Sequence, residues 1–194
     1  MPPPQTIRTF IAIELAPEIK EELGRVSKLL AGQLPAPQVR WVHPENMHLT
    51  LRFLGETAVT QLPQLVAELD KVGQHHTPFS LQLARLGCFP NRKRPRVIWV
   101  GIAGEDTALM AVKQVLDQRL MSLGWAAEDK PFNAHLTIGR VPDGRPVLDR
   151  LPATLNWETA VKPLSFTIAA LHLIESQLTP KGPLYTVRHT AVLR

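Results

Sequence analysis

The chain has 194 residues, of which 44% are hydrophobic and 20% charged, so a packed core is expected and wholesale disorder is excluded. Its single cysteine excludes an internal disulfide and a cysteine-based metal cluster. No apolar run approaches the roughly 20 residues of a membrane helix and the N-terminal residues lack an apolar signal core, so we expect a cytoplasmic protein without membrane contact.

The net charge of +5 comes from a basic excess in which arginine outnumbers lysine. Because a guanidinium group can donate two hydrogen bonds to one phosphate, this excess favours a polyanionic partner such as nucleic acid or a phosphorylated small molecule. A GC-rich genome, which encodes Arg in place of Lys, would produce the same bias.

Apolar periodicity predicts strands mixed with a few helices. One predicted helix begins at Pro17, and two others cover 57–72 and 106–123. The predicted strands are 7–15, 39–42, 47–54, 79–89, 96–102, 134–141, 163–174 and 184–193. Because the order lacks a regular βαβ rhythm, we expect an α+β fold with mainly antiparallel sheets.

The strand over 47–54 has the clearest alternation in the first half of the chain, and Gly55 is expected to end it. Its apolar face carries Leu49, Leu51 and Phe53. Its polar face carries His48, Thr50 and Arg52.

One tetrad, His-Leu-Thr-aliphatic, occurs twice: HLTL begins at His48 and HLTI begins at His135. Both copies lie on predicted strands, and each follows a strand and a helix. We therefore expect two lobes related by a pseudo-twofold axis, which would bring the two tetrads together.

The repeated tetrad suggests phosphoryl chemistry. Residues i and i+2 of a strand share a face, so His48 lies with Thr50 and His135 with Thr137. Imidazole can act as base or acid near neutral pH, and a threonine hydroxyl can donate to a phosphate oxygen. Two alternatives are ordinary strand histidines bonded to nearby carbonyls, and a metal site. No HExxH or comparable cluster supports the metal site, so we expect no metal and no cofactor.

The sequence resembles the two-histidine (2H) phosphoesterase superfamily, and within it the bacterial and archaeal RNA 2′,3′-cyclic phosphodiesterases. The segments that carry the resemblance are RTFIAIEL, ENMHLTLRFLG, RVIWVGI, PFNAHLTIGR and SQLTPKGPLY. One departure is Ala134, where family members often have proline before the second histidine.

The resemblance implies a bilobal α+β fold, in which antiparallel sheets of two pseudo-symmetric lobes line a central cleft and the helices lie outside. It implies one domain over 1–194 that hydrolyses RNA 2′,3′-cyclic phosphate ends to 2′-phosphates without metal or nucleotide. The partner would be RNA, tRNA fragments included, and we expect a monomer. Some relatives also join or open 2′–5′ linkages in tRNA fragments. A non-catalytic RNA-binding module is the rival from another class.

We assign His135 as the base and His48 as the acid, with Thr50, Thr137 and Arg140 on the non-bridging phosphate oxygens. Strict alternation places Arg140 on the opposite face from His135, unless Gly139 permits a bulge.

Two further features have two interpretations each. Phe10 lies on the non-core face of the first strand, where it would either stack on a nucleobase or pack in a second layer. The basic loop between the strands 79–89 and 96–102 carries Arg92, Lys93 and Arg94, which would either follow an RNA backbone or remain a solvated loop.

Overall fold

The computed structural model describes residues 5–34, 38–142, 146–151, 155–180 and 182–194. The helices in this part of the chain are α1 (Pro17–Ala31), α2 (Leu62–Gln74) and α3 (Asp106–Ser122). The strands are β1 (Thr6–Glu14), β2 (Arg40–Trp41), β3 (His48–Ala58), β4 (Phe79–Phe89), β5 (Val97–Gly104), β6 (His135–Arg140), β7 (Ser165–Ile168), β8 (Ala170–Thr179) and β9 (Gly182–Val192).

The nine strands of the described residues form one antiparallel sheet, in the order β7-β4-β5-β6-β3-β1-β8-β9, with β2 paired to β6. Each half of the sheet holds a strand–helix–strand unit, β1-α1-β3 and β5-α3-β6, and the halves meet where β3 pairs with β6. The predicted α+β fold of two related lobes is confirmed.

The helices cover one face of the sheet and build the main core. Their buried apolar side chains contact the inward residues of the central strands, such as Ile11 and Leu49. Each buried Leu, Ile or Val removed from water stabilises the fold by about 1.5–3 kcal/mol. The opposite face, here called the cleft face, carries a small second cluster of Phe10, Ala12 and Ile174.

Strand β3 is longer than the sequence predicts. It continues through Gly55, which adopts a φ of +72°, and pairs with β1 as far as Ala58. The Thr57 hydroxyl is buried against that of Thr9, 2.7 Å away. This pairing keeps residues 55–58 in the sheet, so α2 begins at Leu62 and the prediction of a helix from 57 is wrong.

The predicted faces of β3 are wrong beyond its middle. The register between β1 and β3 slips by one residue at Leu51, and a bulge of this kind reverses the faces that follow it. Arg52 is therefore 4% exposed on the helix side, 3.3 Å from the carboxylate of Asp117. Phe53 is 58% exposed on the cleft face, with its ring centroid 5.9 Å from that of Phe10.

The predicted strand over 163–174 is two strands. The chain leaves β4 after Ile168 and continues as β8, which pairs with β9 from Ala170 and with β1 from His172, so β7 and β8 lie in different halves of the sheet. The carbonyl of Ala169, between them, accepts from the amide of Leu193 at 2.8 Å. The apolar positions change phase at this junction, from Phe166 and Ile168 to Leu171 and Leu173, and the prediction of a single strand missed that sign of the break.

Candidate active site

The two tetrads meet at the centre of the sheet. Leu49 of β3 pairs with Leu136 of β6, and both side chains are fully buried on the helix side. Neighbouring residues of a strand point to opposite faces, so the polar residues of both tetrads point to the cleft face. Continuing the register by one residue each way gives two cross-strand neighbours: His48 beside Thr137, and Thr50 beside His135.

Both imidazoles are held by the same local hydrogen bond. Nδ1 of His48 lies 2.9 Å from the carbonyl oxygen of Asn46, and Nδ1 of His135 lies 2.7 Å from that of Asn133. A carbonyl only accepts, so each Nδ1 carries the proton and donates it. Each Nε2 is left with its lone pair available in the neutral ring.

The sequence contains a signal for this anchor that the motif reading missed. Each histidine belongs to the longer pattern Asn-x-His-Leu-Thr, with Asn46 and Asn133 at the same place in the two copies. Asn46 ends a 3₁₀ turn, and its side-chain amide donates to the carbonyl of Pro183 at 3.4 Å. The position of the Asn46 carbonyl relative to His48 is thus set by the sequence pattern, and the hydrogen bond to Pro183 holds Asn46 against the β8–β9 hairpin.

Two aromatic rings hold the imidazole of His48. The ring of Phe10 stacks on it with centroids 4.7 Å apart, and Tyr185 meets it edge-on at 5.3 Å. Phe10 itself is only 3% exposed, because Tyr185 and Ile174 also pack against it. Phe10 is therefore a neighbour of the histidine with little free surface.

The surroundings of His135 are built in the same way. Phe89 meets the imidazole edge-on at 5.0 Å, and Trp99 lies 6.3 Å away between centroids. A Cβ atom on Gly87 would lie 2.1 Å from the indole of Trp99, so glycine is required for the indole to lie across β4. Sequence reasoning missed Phe89 and Trp99, because only the pairing of β4, β5 and β6 brings them to this histidine.

Both histidines have pKa values below the usual range. Burial, which disfavours the charged ring, lowers the pKa of His48 to about 4, and it also lowers the pKa of His135. The charge of Arg140 lowers both values further, against the opposing effect of the carbonyl hydrogen bonds. Both imidazoles of the free protein are therefore neutral at pH 7.

The effect of Arg140 on both rings depends on a bulge in β6. The register with β5 slips by one residue at Ile138, so the bulge that Gly139 suggested is confirmed and Arg140 returns to the histidine face. A Cβ atom on Gly139 would lie 2.9 Å from Val39, so this close approach requires glycine. The structure thus brings Arg140 together with both tetrads.

The basic loop begins directly after Phe89, the aromatic neighbour of His135. The guanidinium of Arg92 stacks over the ring of Trp157 at 4.4 Å. The side chain of Asn91 accepts from the amides of Lys93 and Arg94 at 3.1 and 3.0 Å, which shapes the turn. The side chains of Lys93 and Arg94 are exposed.

Two findings concern metals and membranes. Among the residues that the structure describes, no group of three or more His, Cys, Asp or Glu side chains could hold a metal ion. Over the same ranges, no helix combines the length and the apolar character needed to cross a bilayer.

Comparisons with known proteins show which family the chain resembles. The model of the LigT like Phosphoesterase family matches twice, over residues 13–99 and 100–185, so each half carries one tetrad. A curated RNA 2′,3′-cyclic phosphodiesterase of Archaeoglobus fulgidus is 34% identical over 92% of this chain and 96% of its own length. Another, of Thermotoga maritima, is 33% identical over 93% of this chain and 92% of its own.

Solved structures give the same result for the fold. A Thermus thermophilus protein superposes with a TM-score of 0.80 at 29% identity, covering 97% of this chain and 98% of that one. The Escherichia coli LigT complex with 3′-AMP has a TM-score of 0.75 at 25% identity, covering 97% and 99%. The fold and the family match place the chain in the two-histidine (2H) phosphoesterase superfamily. The chain belongs to the LigT-like phosphoesterase family.

Proposed function

We propose that the protein hydrolyses 2′,3′-cyclic phosphate ends of RNA to 2′-phosphates, with the two HxT motifs as general acid and base and without a metal ion. The observation that carries the proposal is the pair of imidazoles at the β3–β6 junction, each with Nδ1 bonded to a carbonyl and Nε2 available. The activity named for the curated relatives supports the same reaction.

The reaction needs one proton removed and one proton supplied. One imidazole takes a proton from water as the water oxygen forms a bond to phosphorus. The other gives a proton to O3′ as the bond between phosphorus and O3′ breaks, which leaves the phosphate on O2′. Donors from Thr50, Thr137 and Arg140 would hold the non-bridging oxygens, where charge builds in the transition state.

The low pKa values bear on how the acid obtains its proton. In the free protein neither imidazole is charged at pH 7, so the acid must gain its proton together with the anionic substrate. A phosphate between the rings raises the pKa of both and offsets the charge of Arg140. The choice of His135 as base and His48 as acid stays a prediction, because both rings have the same anchor.

Phe10 was a candidate for contact with a nucleobase. Since its ring is buried and stacks on His48, we propose that it acts on the substrate by positioning that imidazole. A ring stacked on the imidazole limits the rotation that would otherwise misalign the proton transfer.

The whole chain would act as one unit on RNA. The continuous sheet supports a single domain over 1–194, and we propose that a monomer of 21.6 kDa binds RNA ends, tRNA fragments included, in the cytoplasm. Light scattering on the purified protein measures the mass. A stable dimer would contradict the monomer.

The test uses an oligonucleotide ended by a 2′,3′-cyclic phosphate, incubated with the protein in EDTA, and phosphorus NMR identifies the product. We expect a 2′-phosphate from the wild type and a loss of at least about 100-fold in His48→Gln and in His135→Gln. His75→Gln, on the exposed end of α2, is the matched control and should retain activity.

Three outcomes would contradict the proposal. Binding of the oligonucleotide without any turnover would identify a non-catalytic RNA-binding module. Near-wild-type turnover by either tetrad variant would exclude the two-histidine mechanism. Activity abolished by EDTA and restored by a divalent cation would overturn metal independence.

A further inference from the structure

An exposed arginine lies on the cleft face beyond the aromatic neighbours of His48. Arg8 of β1 is two residues from Phe10 and therefore shares its face. Its charge reaches the phenol of Tyr185, where it opposes the burial that raises the pKa of that group. Glu56 lies opposite Arg8 in the register of β1 and β3, but none of the ion pairs within 4.0 Å among the described residues involves Arg8.

The distance from Arg8 to the tetrads suits one nucleotide unit. Ala12 of β1 lies opposite Thr50 in the register, and Arg8 is four residues away along the same strand. At about 3.3 Å per residue, the two positions on β1 are about 13 Å apart. The flexible side chain of Arg8 can bring its guanidinium several ångströms closer to the phosphate site than the backbone positions are.

An exposed aromatic side chain, that of Phe53, lies between these two positions. Phe53, opposite Phe10 in the register, is 58% exposed on the cleft face. A large exposed aromatic side chain in a cleft offers a surface on which a nucleobase can stack. Along β1, the order is therefore the phosphate site beside the tetrads, the ring of Phe53, and then Arg8.

A polar cavity of about 540 Å³ opens beyond Arg8, where β1 and β8 separate. Its lining includes Arg8, Glu56, Ser176 and the pair Glu175–Arg188. The Glu175 carboxylate is neutralised by Arg188, at 2.6 Å, and Glu56 accepts from the hydroxyl of Thr6 at 3.2 Å. This volume is within the usual range for a small-molecule site, and its polar walls suit a nucleoside.

We propose that this end of the cleft is a subsite for the RNA on the 5′ side of the cyclic phosphate. Arg8 binds the phosphodiester that precedes the terminal nucleoside, the terminal base stacks on Phe53, and the next nucleoside enters the cavity. The inference rests on the proposed function and names its substrate class. The enzyme selects oligonucleotide ends over cyclic mononucleotides.

The experiment compares three substrates: adenosine 2′,3′-cyclic monophosphate, its 5′-phosphorylated form, and the ApA dinucleotide with a 2′,3′-cyclic phosphate end. We expect kcat/KM of the wild type to favour the two that carry a 5′ phosphoryl group by about tenfold or more, the effect of one charge-assisted hydrogen bond. Arg8→Gln should lower this preference by about tenfold, through KM. Higher salt should reduce the preference of the wild type more than that of the variant.

The controls separate a specific subsite from general charge. Lys28→Gln removes the same charge from α1, on the opposite side of the sheet, and should retain the preference. Phe53→Ser should weaken binding of all three substrates alike, since the terminal base is common to them. Calorimetry with adenosine 2′,5′-bisphosphate and adenosine 2′-monophosphate measures the Arg8 contribution without turnover, and the bisphosphate should bind about tenfold more tightly.

Equal affinity for the two adenosine phosphates would overturn the subsite. So would a substrate preference that Arg8→Gln keeps, or one that Lys28→Gln also loses. Failure of the wild type to hydrolyse any of the three substrates would instead overturn the proposed function. The calorimetric comparison would still decide whether Arg8 binds the 5′ phosphate.

Discussion

The burial of His48 should make the stability of the fold depend on pH. Its pKa is about 4 in the folded protein, against an ordinary value near 6.5 in the unfolded chain. Between these two values the unfolded chain binds more protons, so the free energy of unfolding falls as the pH falls through this range. The linkage relation gives a loss of about 2 kcal/mol at pH 5 relative to pH 7.5.

Urea unfolding of the wild type and of His48→Gln at pH 7.5 and pH 5 measures this contribution. Glutamine does not titrate, so the variant should lose about 2 kcal/mol less than the wild type between the two pH values. Arg140→Gln should lose less than the wild type as well, because without the Arg140 charge the pKa of His48 rises. Proton NMR of the ring reports the pKa directly. Parallel pH dependence in all three proteins would refute the reasoning.

The remaining predictions concern activity. The leaving group of a p-nitrophenyl phosphodiester needs no general acid. On this substrate His48→Gln, which lacks the assigned acid, should keep most of its activity, whereas His135→Gln should lose it. The reverse result would exchange the roles of the two histidines. Arg140→Gln should lower kcat/KM by about 100-fold, since up to about 3 kcal/mol of charge-assisted bonding to the phosphate is removed, and unchanged kinetics would exclude that contact. Neutralising Lys93 and Arg94 should flatten the salt dependence of binding to a long RNA, and an equal loss on a cyclic mononucleotide would mean that the loop supports the site.

Local periodicity was sufficient for much of the site. Residues i and i+2 of a strand share a face whatever the strand pairs with, so the sequence alone placed His48 with Thr50 and His135 with Thr137. The anchor of each imidazole is equally local, since it joins a ring to a carbonyl two residues earlier. Gly139 likewise marked the bulge that returns Arg140 to the histidine face.

Pairing between distant strands decided the rest. The slip at Leu51 that buries Arg52 and exposes Phe53 has no glycine or proline to announce it, because it arises from the register between β1 and β3. The break at Ala169 arises in the same way, where the chain moves from one half of the sheet to the other.

The surroundings of the two imidazoles also depend on the tertiary structure. The rings beside His48 and His135 come from strands far away along the chain, and the low pKa values are a consequence of that packing. The sequence by itself therefore determined that each tetrad presents its histidine and threonine to one face, since that depends only on backbone alternation. Only the tertiary structure decided their neighbours, their burial and their charge state, because desolvation and register are properties of the whole sheet.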